Sequence, residues 1–328
     1  NELRNNLAYQ QAFERIRPSL QHDRIFAKSL EGRNVVMGYY FKSRVSEGES
    51  DEIGLLPPPI MKMDAQWSER LPINRAAGYS GNLEVLQSAA RSAGYFDNPH
   101  VDPDGVFRRV PLIQAYENFL FSSLALATTQ AFLRQPRVEL IVESEGARNA
   151  KEYYALEAIR LGDYRIPVDH NGAVYVPYRG LEGSFPYLSA HRVLTRDIDP
   201  ALLKDKIVLV GTSAPGLLDL RSTPVQNVFP GVEVHANIIS GILDQRVNHK
   251  PAWTIGYEFV MLILVAVSMA FLLPLLPPLF AAAGTVGIGL VVITGTMIAW
   301  HNHLILPLAS PLLLIGLISM LHMTYGFF

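Results

Sequence analysis

The sequence contains no cysteine. This absence excludes a disulfide framework, a thiolate zinc site, an iron–sulfur cluster and a cysteine nucleophile. It is compatible with a location in the periplasm.

Charge is almost absent from one end of the chain. From Pro251 to Phe328 there is no Lys or Arg, and Glu258 is the only acid. The first 250 residues hold all 28 basic side chains and 29 of the 30 acidic ones. Phosphate binding needs a clustered basic face, so no nucleic acid partner is expected. The chain therefore combines a water-exposed domain, predicted at 1–250, with a lipid-like region at 251–328.

The lipid-like region contains three apolar stretches, at about 255–276, 279–300 and 304–328. Each is near the ~20 residues that a bilayer crossing needs. Trp253 and Trp300 lie near the ends, where an aromatic belt would place them. We predict a three-helix transmembrane bundle, because three consecutive stretches of this length disfavour a buried hairpin in a soluble core. Three crossings put the N-terminal domain and the C-terminus on opposite sides of the membrane.

The water-exposed part alternates between helix and strand patterns. This predicts the α/β class, with a central sheet and helices on both of its faces. Two hairpins are predicted, one around Asp104-Gly105 and one joining Tyr164–Pro167 to Ala173–Tyr178. The other predicted strands are Asn34–Tyr40 and Lys206–Gly211, and the predicted helices include Leu3–Leu20, Asn82–Ala93, Phe119–Leu133 and Pro230–Leu243.

The turn after Lys206–Gly211 has the context of a phosphate loop. Such a loop needs Lys then Ser or Thr after its second Gly, and Leu217-Leu218 stand there, so nucleotide binding is not predicted. Ser213, Asp219 and His235 follow in hydrolase order, but Pro215 occupies the position where a nucleophile elbow needs Gly. A hydrolase centred on Ser213 stays a minor alternative.

The segment that begins at His100 imitates a calcium loop. Pro111 stands where the bidentate Glu is expected, so we predict a turn at Asp104-Gly105 and no metal site. Arg108 could bind an anionic ligand, or it could pair with Asp102 or Asp104 equally well. The residues form no catalytic constellation.

The best candidate for a ligand site is the turn after the Lys206–Gly211 strand, because loops at the carboxyl ends of strands form the usual crevice in α/β folds. Thr212, Ser213, Asp219 and His235 would lie there, with Arg108 as a further candidate. For His235 alone, a hydrogen-bonded structural histidine is favoured over a ligand contact. The ligand itself is not predicted.

Several segments together resemble the CHASE2 family of bacterial extracytoplasmic sensor domains. PGVEVHANIISGIL is the most distinctive of them, and three apolar stretches directly after it are the usual arrangement of the family. The matching segments are Ala93–Leu112, Phe121–Ala127, Arg165–Gly180, Phe185–Leu194, Lys204–Val225 and Pro230–Leu243.

Within that family, the sequence is similar to the sensor portion of bacterial class III adenylate cyclases. The resemblance implies a periplasmic or extracellular sensor domain, a multi-pass inner-membrane protein with a cytosolic C-terminus, and a homodimer with an unknown ligand. It implies no cofactor in this chain, whereas ATP and a divalent metal are expected for a cyclase domain that would follow Phe328. A kinase output is the alternative. The family also implies an upstream membrane helix and an opening βαβ portion, so the chain is expected to begin inside the sensor domain.

Overall fold

The computed structural model of the chain describes residues 7–44, 50–64, 71–99, 101–145, 153–212, 219–251 and 253–327. The chain divides into two compact units, Asn1–Gln245 and Arg246–Phe328. The first unit is rich in short strands and helices, and the second is helical.

The described part of the first unit contains helices α1 to α6 and strands β1 to β14. The helices are α1 (Leu7–Leu20), α2 (His22–Leu30), α3 (Glu84–Ala89), α4 (Leu124–Phe132), α5 (Ala190–Leu194) and α6 (Gly231–Leu243). The strands are β1 (Val36–Lys42), β2 (Glu52–Ile53), β3 (Met61–Lys62), β4 (Gly78–Ser80), β5 (Ser92–Tyr95), β6 (Arg109–Pro111), β7 (Ile113–Tyr116), β8 (Phe119–Ser122), β9 (Val138–Glu145), β10 (Tyr153–Leu161), β11 (Tyr164–Pro167), β12 (Ala173–Tyr175), β13 (Leu220–Arg221) and β14 (Phe229–Pro230).

These strands are divided among five small sheets in the described residues. The largest has the order β2-β4-β1-β5, and the others are β3-β8-β7, β11-β10-β9, β12-β6 and β13-β14. The predicted mixture of helices and strands is confirmed, but the described strands do not join into the single central sheet that the alternation of patterns suggested. Most strands have only two to four residues, which is too short to align many neighbours.

Aromatic side chains fill the core beside the four-stranded sheet. The Phe41 ring lies with its centroid 5.6 Å from those of Tyr95 and Phe121, and all three side chains are buried. Tyr39 packs edge-on against Phe41, with ring centroids 5.3 Å apart. Each such pair adds about 0.5–1.5 kcal/mol to the burial of the rings. The aromatic run around Tyr39 is therefore what makes β1 a strand of the core.

A carboxylate lies at the edge of this aromatic core. Asp97 accepts hydrogen bonds from the Phe41 N–H (2.8 Å) and from Nε2 of Gln114 (2.9 Å). Burial raises the pKa of Asp97, and the two hydrogen bonds act in the opposite direction. Asp97 thus joins β1 to β7, which belong to different sheets.

The two hairpins predicted from turn residues are wrong, because the strands on either side of each turn pair with other strands. β5 pairs in parallel with β1, β6 pairs with β12, and β11 pairs with β10. The turns themselves form, since Gly105 and Gly172 both have positive φ. Turn residues set the local direction of the chain, but the choice of neighbouring strand depends on packing.

Three predicted elements have different bounds or a different structure. The helix expected at Asn82–Ala93 ends at Ala89 and gives way to β5, and the one expected at Phe119–Leu133 begins only at Leu124, after β8. The strand expected at Lys206–Gly211 is not a strand: it has no regular structure, and Val210 is 93% exposed.

The second unit contains helices α7 (Thr254–Leu272), α8 (Pro278–His301) and α9 (Ala309–Phe327). Their shared apolar core includes Met269 and Leu273, which are almost fully buried, with Ala281, Val292 and Ile315. The hydroxyl of Ser310, at the start of α9, donates a hydrogen bond to the Glu258 carboxylate on α7. The only acid of this region therefore has a partner on a neighbouring helix.

Two of these helices are long and apolar enough to cross a membrane: Thr254–Leu275, which includes the last turn after α7, and Pro278–His301. Within α9, the apolar part Ala309–Thr324 is shorter than these two and does not count as a candidate. The third stretch was predicted to begin at Leu304, but Leu304 forms a bridge with His249 and the helix begins at Ala309. Two candidate membrane helices are thus established by length and composition.

We predict that Gly94→Ala destabilises the protein by about 1–3 kcal/mol, the usual range for overpacking. A Cβ on Gly94 would lie 2.6 Å from the backbone N and Cα of Leu124, at the start of α4. Unfolding of the detergent-solubilised chain by urea measures the effect.

Gly38→Ala is the matched control, because Gly38 is paired with Gly94 in the β1–β5 register. A Cβ on Gly38 would meet only the Phe96 ring, at 3.0 Å, and this ring is 46% exposed and can move. Equal effects of the two substitutions would contradict the prediction.

Candidate functional site

Helix α6 holds the segment 179–187 through a buried carboxylate. Glu233 is 2% exposed, and its Oε2 accepts hydrogen bonds from the Tyr187 hydroxyl (2.6 Å) and the Gly183 N–H (3.1 Å). Burial and the Glu233 carboxylate raise the pKa of Tyr187, so this hydroxyl stays protonated and donates. A buried carboxylate is costly without such donors, which explains why the segment closes over it.

The same face of α6 continues one and two turns further along the helix. Oδ1 of Asn237 accepts from the Arg179 N–H (2.9 Å), and its Nδ2 donates to the Glu233 carbonyl (2.8 Å). The Arg179 guanidinium donates to the Ser240 hydroxyl and pairs with Asp244 at 2.6 Å. Residues four and three positions apart lie on one helix face, so Glu233, Asn237 and Ser240 form a single polar stripe.

Two glycines of α6 allow side chains from other segments to approach the helix backbone closely. A Cβ on Gly231 would lie 2.3 Å from Oδ1 of Asp219, and one on Gly241 would lie 2.2 Å from Cγ of Pro177. Only glycine leaves room for these contacts. The glycines of the distinctive PGVEVHANIISGIL segment are therefore required by packing.

Asp219, Arg221 and His235 form a second cluster near the start of α6. The Arg221 guanidinium lies 3.2 Å from Oδ1 of Asp219 and over the Phe107 ring, 5.3 Å from its centroid. Burial, and secondarily the charge of Arg221, lower the pKa of His235 to about 4. His235 is thus neutral at pH 7, and its Nδ1 is buried without a hydrogen-bond partner in the described part of the chain.

This geometry does not favour a hydrolase. Asp219 pairs with Arg221, whereas a catalytic acid would orient the histidine. A histidine with a pKa near 4 is also a weak general base at neutral pH. Ser213 lies outside the described residues.

Arg108 belongs to a separate network. Its guanidinium pairs with Asp102 (3.0 Å) and with Asp104 (2.7 Å). Arg109 pairs with Asp102 (2.7 Å) and with Asp169 (3.1 Å), and these contacts connect the loop before β6 to the turn before β12. The Arg108 hydrogen bond is the main cause that lowers the pKa of Asp104 to about 2. Of the two roles considered for Arg108, the structure realises the pairing with both aspartates.

Thr212 is exposed and follows Gly211, which lies against α6. A Cβ on Gly211 would be 2.7 Å from Cβ of Val232. The structure therefore brings Asp219 and His235 together through Arg221 and places the chain before Thr212 beside the same helix. Ligand binding by these residues stays a prediction.

The polar stripe of α6 and the cation of Arg221 were not predicted from the sequence. The spacing of Glu233, Asn237 and Ser240 could have revealed the stripe, since polar residues recur at helical intervals within an otherwise apolar helix. No comparable signal identifies Arg221, because its partners lie on other segments. In the described residues, no group of three or more His, Asp and Glu side chains could hold a metal ion.

The fold and the site define a mixed α/β domain followed by apolar helices, with polar contacts that position α6. The sequence model of the CHASE2 domain family matches residues 4–273, and the chain belongs to this family. Neither the comparison with curated proteins nor the comparison with solved structures gives a match. The chain therefore contains a CHASE2 sensor domain, and its two candidate membrane helices indicate a membrane-associated protein.

His235 should make the protein less stable in acid. Its pKa is about 4 in the folded chain and near 6.5 when unfolded, so the unfolded state binds more protons between these values. The contribution of neutral His235 to the free energy of unfolding is fully present above pH 6.5 and decreases as the pH falls toward 4. We predict that the parent loses about 2 kcal/mol more stability between pH 7.5 and pH 5 than the His235→Gln variant does.

Chemical unfolding of the detergent-solubilised chain at the two pH values measures this difference. His191→Gln is the control, because His191 is exposed on α5. A His235→Gln variant that loses as much stability in acid as the parent would contradict the assignment.

Proposed function

We propose that the chain is the sensor and transmembrane signalling module of a receptor-type adenylate cyclase. The sensor domain lies in the periplasm or outside the cell, and the membrane is the cytoplasmic membrane of a bacterium. A stimulus that binds this domain changes the packing of the apolar helices, and thereby the activity of a cytoplasmic domain that makes cAMP from ATP.

The observation that carries this proposal is the extent of the family match. It runs from residue 4, through the whole α/β unit, to residue 273 at the end of α7. The sensor domain and the first apolar helix thus belong to one family unit. A ligand can bias such a module only if it binds two states with different affinity.

The proposed topology has three crossings. α9 spans 19 residues and contains no Asp, Glu, Lys or Arg, and Ser310 at its start contacts Glu258 of α7. With the sensor domain outside, the turn between α7 and α8 lies in the cytosol, the turn between α8 and α9 lies outside, and the C-terminus is cytosolic.

The absence of cysteine makes this topology directly testable. Single variants Ser189→Cys, Leu275→Cys and Asn302→Cys are treated with a membrane-impermeant maleimide in intact spheroplasts. We expect labelling at Ser189→Cys and Asn302→Cys, because both sites lie outside, and labelling at Leu275→Cys only after permeabilisation. The unsubstituted chain is the control.

A C-terminal protease-sensitive tag completes the test. It should be protected in intact spheroplasts, because α9 returns the chain to the cytosol. Digestion of the tag without permeabilisation would contradict the third crossing, and labelling of Leu275→Cys from outside would contradict the whole arrangement.

The cyclase output is tested with the complete coding sequence that contains these residues. Expressed in a bacterium without adenylate cyclase, it should cause cAMP to accumulate, whereas the coding sequence ended after Phe328 should not. Phosphate transfer from ATP to protein without cAMP would instead establish the kinase alternative.

The mechanism also requires a homodimer, because class III catalysis uses paired cyclase domains. Light scattering of the detergent-solubilised chain should give the mass of two copies. A strictly monomeric protein at all concentrations would remove the support for a mechanism based on paired helices.

A further inference from the structure

A cleft at the junction of three sheets is separate from the α6 site. Its volume is about 590 Å³, which is within the roughly 300–1,000 Å³ typical of small-molecule sites. Its walls include β5 of the four-stranded sheet, the segment that leads into β3, and the start of β9. β5 is an edge strand, and at Ser92 and Ala93 its outer edge has no strand partner in the described residues.

Positive charge collects at this cleft. Arg91 and Arg137 line it, and a smaller cavity of about 220 Å³ shares Arg91 and adds Arg33. In the part of the chain that the structure describes, none of these three guanidinium groups has an ion pair or hydrogen bond. Glu139, the acidic residue among those lining the cleft, is 3.5 Å from Arg160 and is thus already paired.

This state differs from that of other arginines of the domain. Arg108 and Arg109 each contact two carboxylates, and Arg179 and Arg221 each contact one. An arginine fork is suited to a planar, two-oxygen anion, and the forks that line this cleft, unpaired in the described residues, are free to bind one.

Another part of the lining is apolar. Pro57, Pro58 and Pro59, followed by Ile60, line the cleft, and proline has no N–H to offer a ligand. A free inorganic anion would gain nothing from such a wall. A ligand with both a carboxylate and an apolar body would contact the arginines and the proline wall together.

The backbone beside the arginines is strained. Arg134 and Gln135 both have positive φ, 64° and 63°, which is uncommon for residues other than glycine. Two hydrogen bonds hold this turn: the Gln135 N–H donates to the Gln130 carbonyl (2.7 Å), and Nε2 of Gln130 donates to the Pro136 carbonyl (3.1 Å). This turn follows the end of α4, and Arg137 comes two residues after it, at the cleft.

We infer that this cleft binds a small organic carboxylate, with the carboxylate held by Arg91 and Arg137 and the apolar body against Pro57–Ile60. The inference names a ligand class for the proposed sensor, and its biological meaning rests on that proposed function. Binding itself requires neither the cyclase nor the proposed topology.

Thermal unfolding of the detergent-solubilised chain tests the inference with three probes at equal ionic strength and pH 7.5. Benzoate and acetate carry the same anionic group and differ in their apolar body, and inorganic phosphate is the third probe. We expect benzoate, at about ten times its Kd, to raise the melting temperature by about 3 °C or more. Acetate should raise it less, and phosphate should have no effect beyond that of chloride.

The double variant R91Q/R137Q should lose the effect of benzoate. Its melting temperature without probe should stay within about 2 °C of the parent, because exposed side chains without partners contribute little to stability. Arg196→Gln, which removes an exposed arginine away from the cleft, is the matched control and should keep the full response. Should the double variant fail to fold, R91Q and R137Q alone should each weaken benzoate binding about tenfold.

Three results would each overturn the inference: no rise with benzoate, an equal rise in the arginine variants, or a rise with phosphate as large as that with benzoate. A failure here would leave the labelling pattern of the cysteine variants unchanged. Conversely, if benzoate binds but the cysteine variants contradict the proposed topology, the cleft is a ligand site and the proposed signalling function is wrong.

Discussion

Burial of the Glu233 carboxylate under the segment 179–187 is the constraint that organises the surroundings of α6. A carboxylate removed from water requires donors, and the Gly183 N–H and the Tyr187 hydroxyl supply two to Oε2, whereas Oε1 has no hydrogen-bond partner among the described residues. The polar stripe then continues through Asn237 to Arg179, so the segment follows the helix for several residues. The position of α6 in turn decides where Asp219 and His235 lie.

Some arginines of the domain are paired with carboxylates and others are not, and this difference bears on function. Around Arg108, the guanidinium and carboxylate groups satisfy one another, and such a network joins loops without leaving capacity for a ligand. Around Arg91 and Arg137, the described residues supply no such partners. Exposed ion pairs contribute at most about 1 kcal/mol, so the difference matters less for stability than for which anions the surface can receive.

The apolar helices are stabilised differently from the domain before them. Their side chains need no internal polar partners, since lipid can cover them, and their shared core is built from residues such as Met269 and Leu273. Two polar contacts are exceptions: Ser310 on α9 donates to Glu258 on α7, and Ser319 on α9 donates to Thr285 on α8.

The sequence by itself determined the division into a charged and an apolar region, the mixture of helices and strands, and the bounds of α6 to within one residue. These features rest on composition and on helical periodicity, which are local properties. Tertiary structure alone decided three features: the pairing of β5 with β1, the absence of the predicted strand at Lys206–Gly211, and the contact between Glu233 and Tyr187. The physical reason is that each depends on which distant segment competes successfully for the same edge, face or donor. The same reason explains why Asp219 was predicted as a site residue but its partner Arg221 was not.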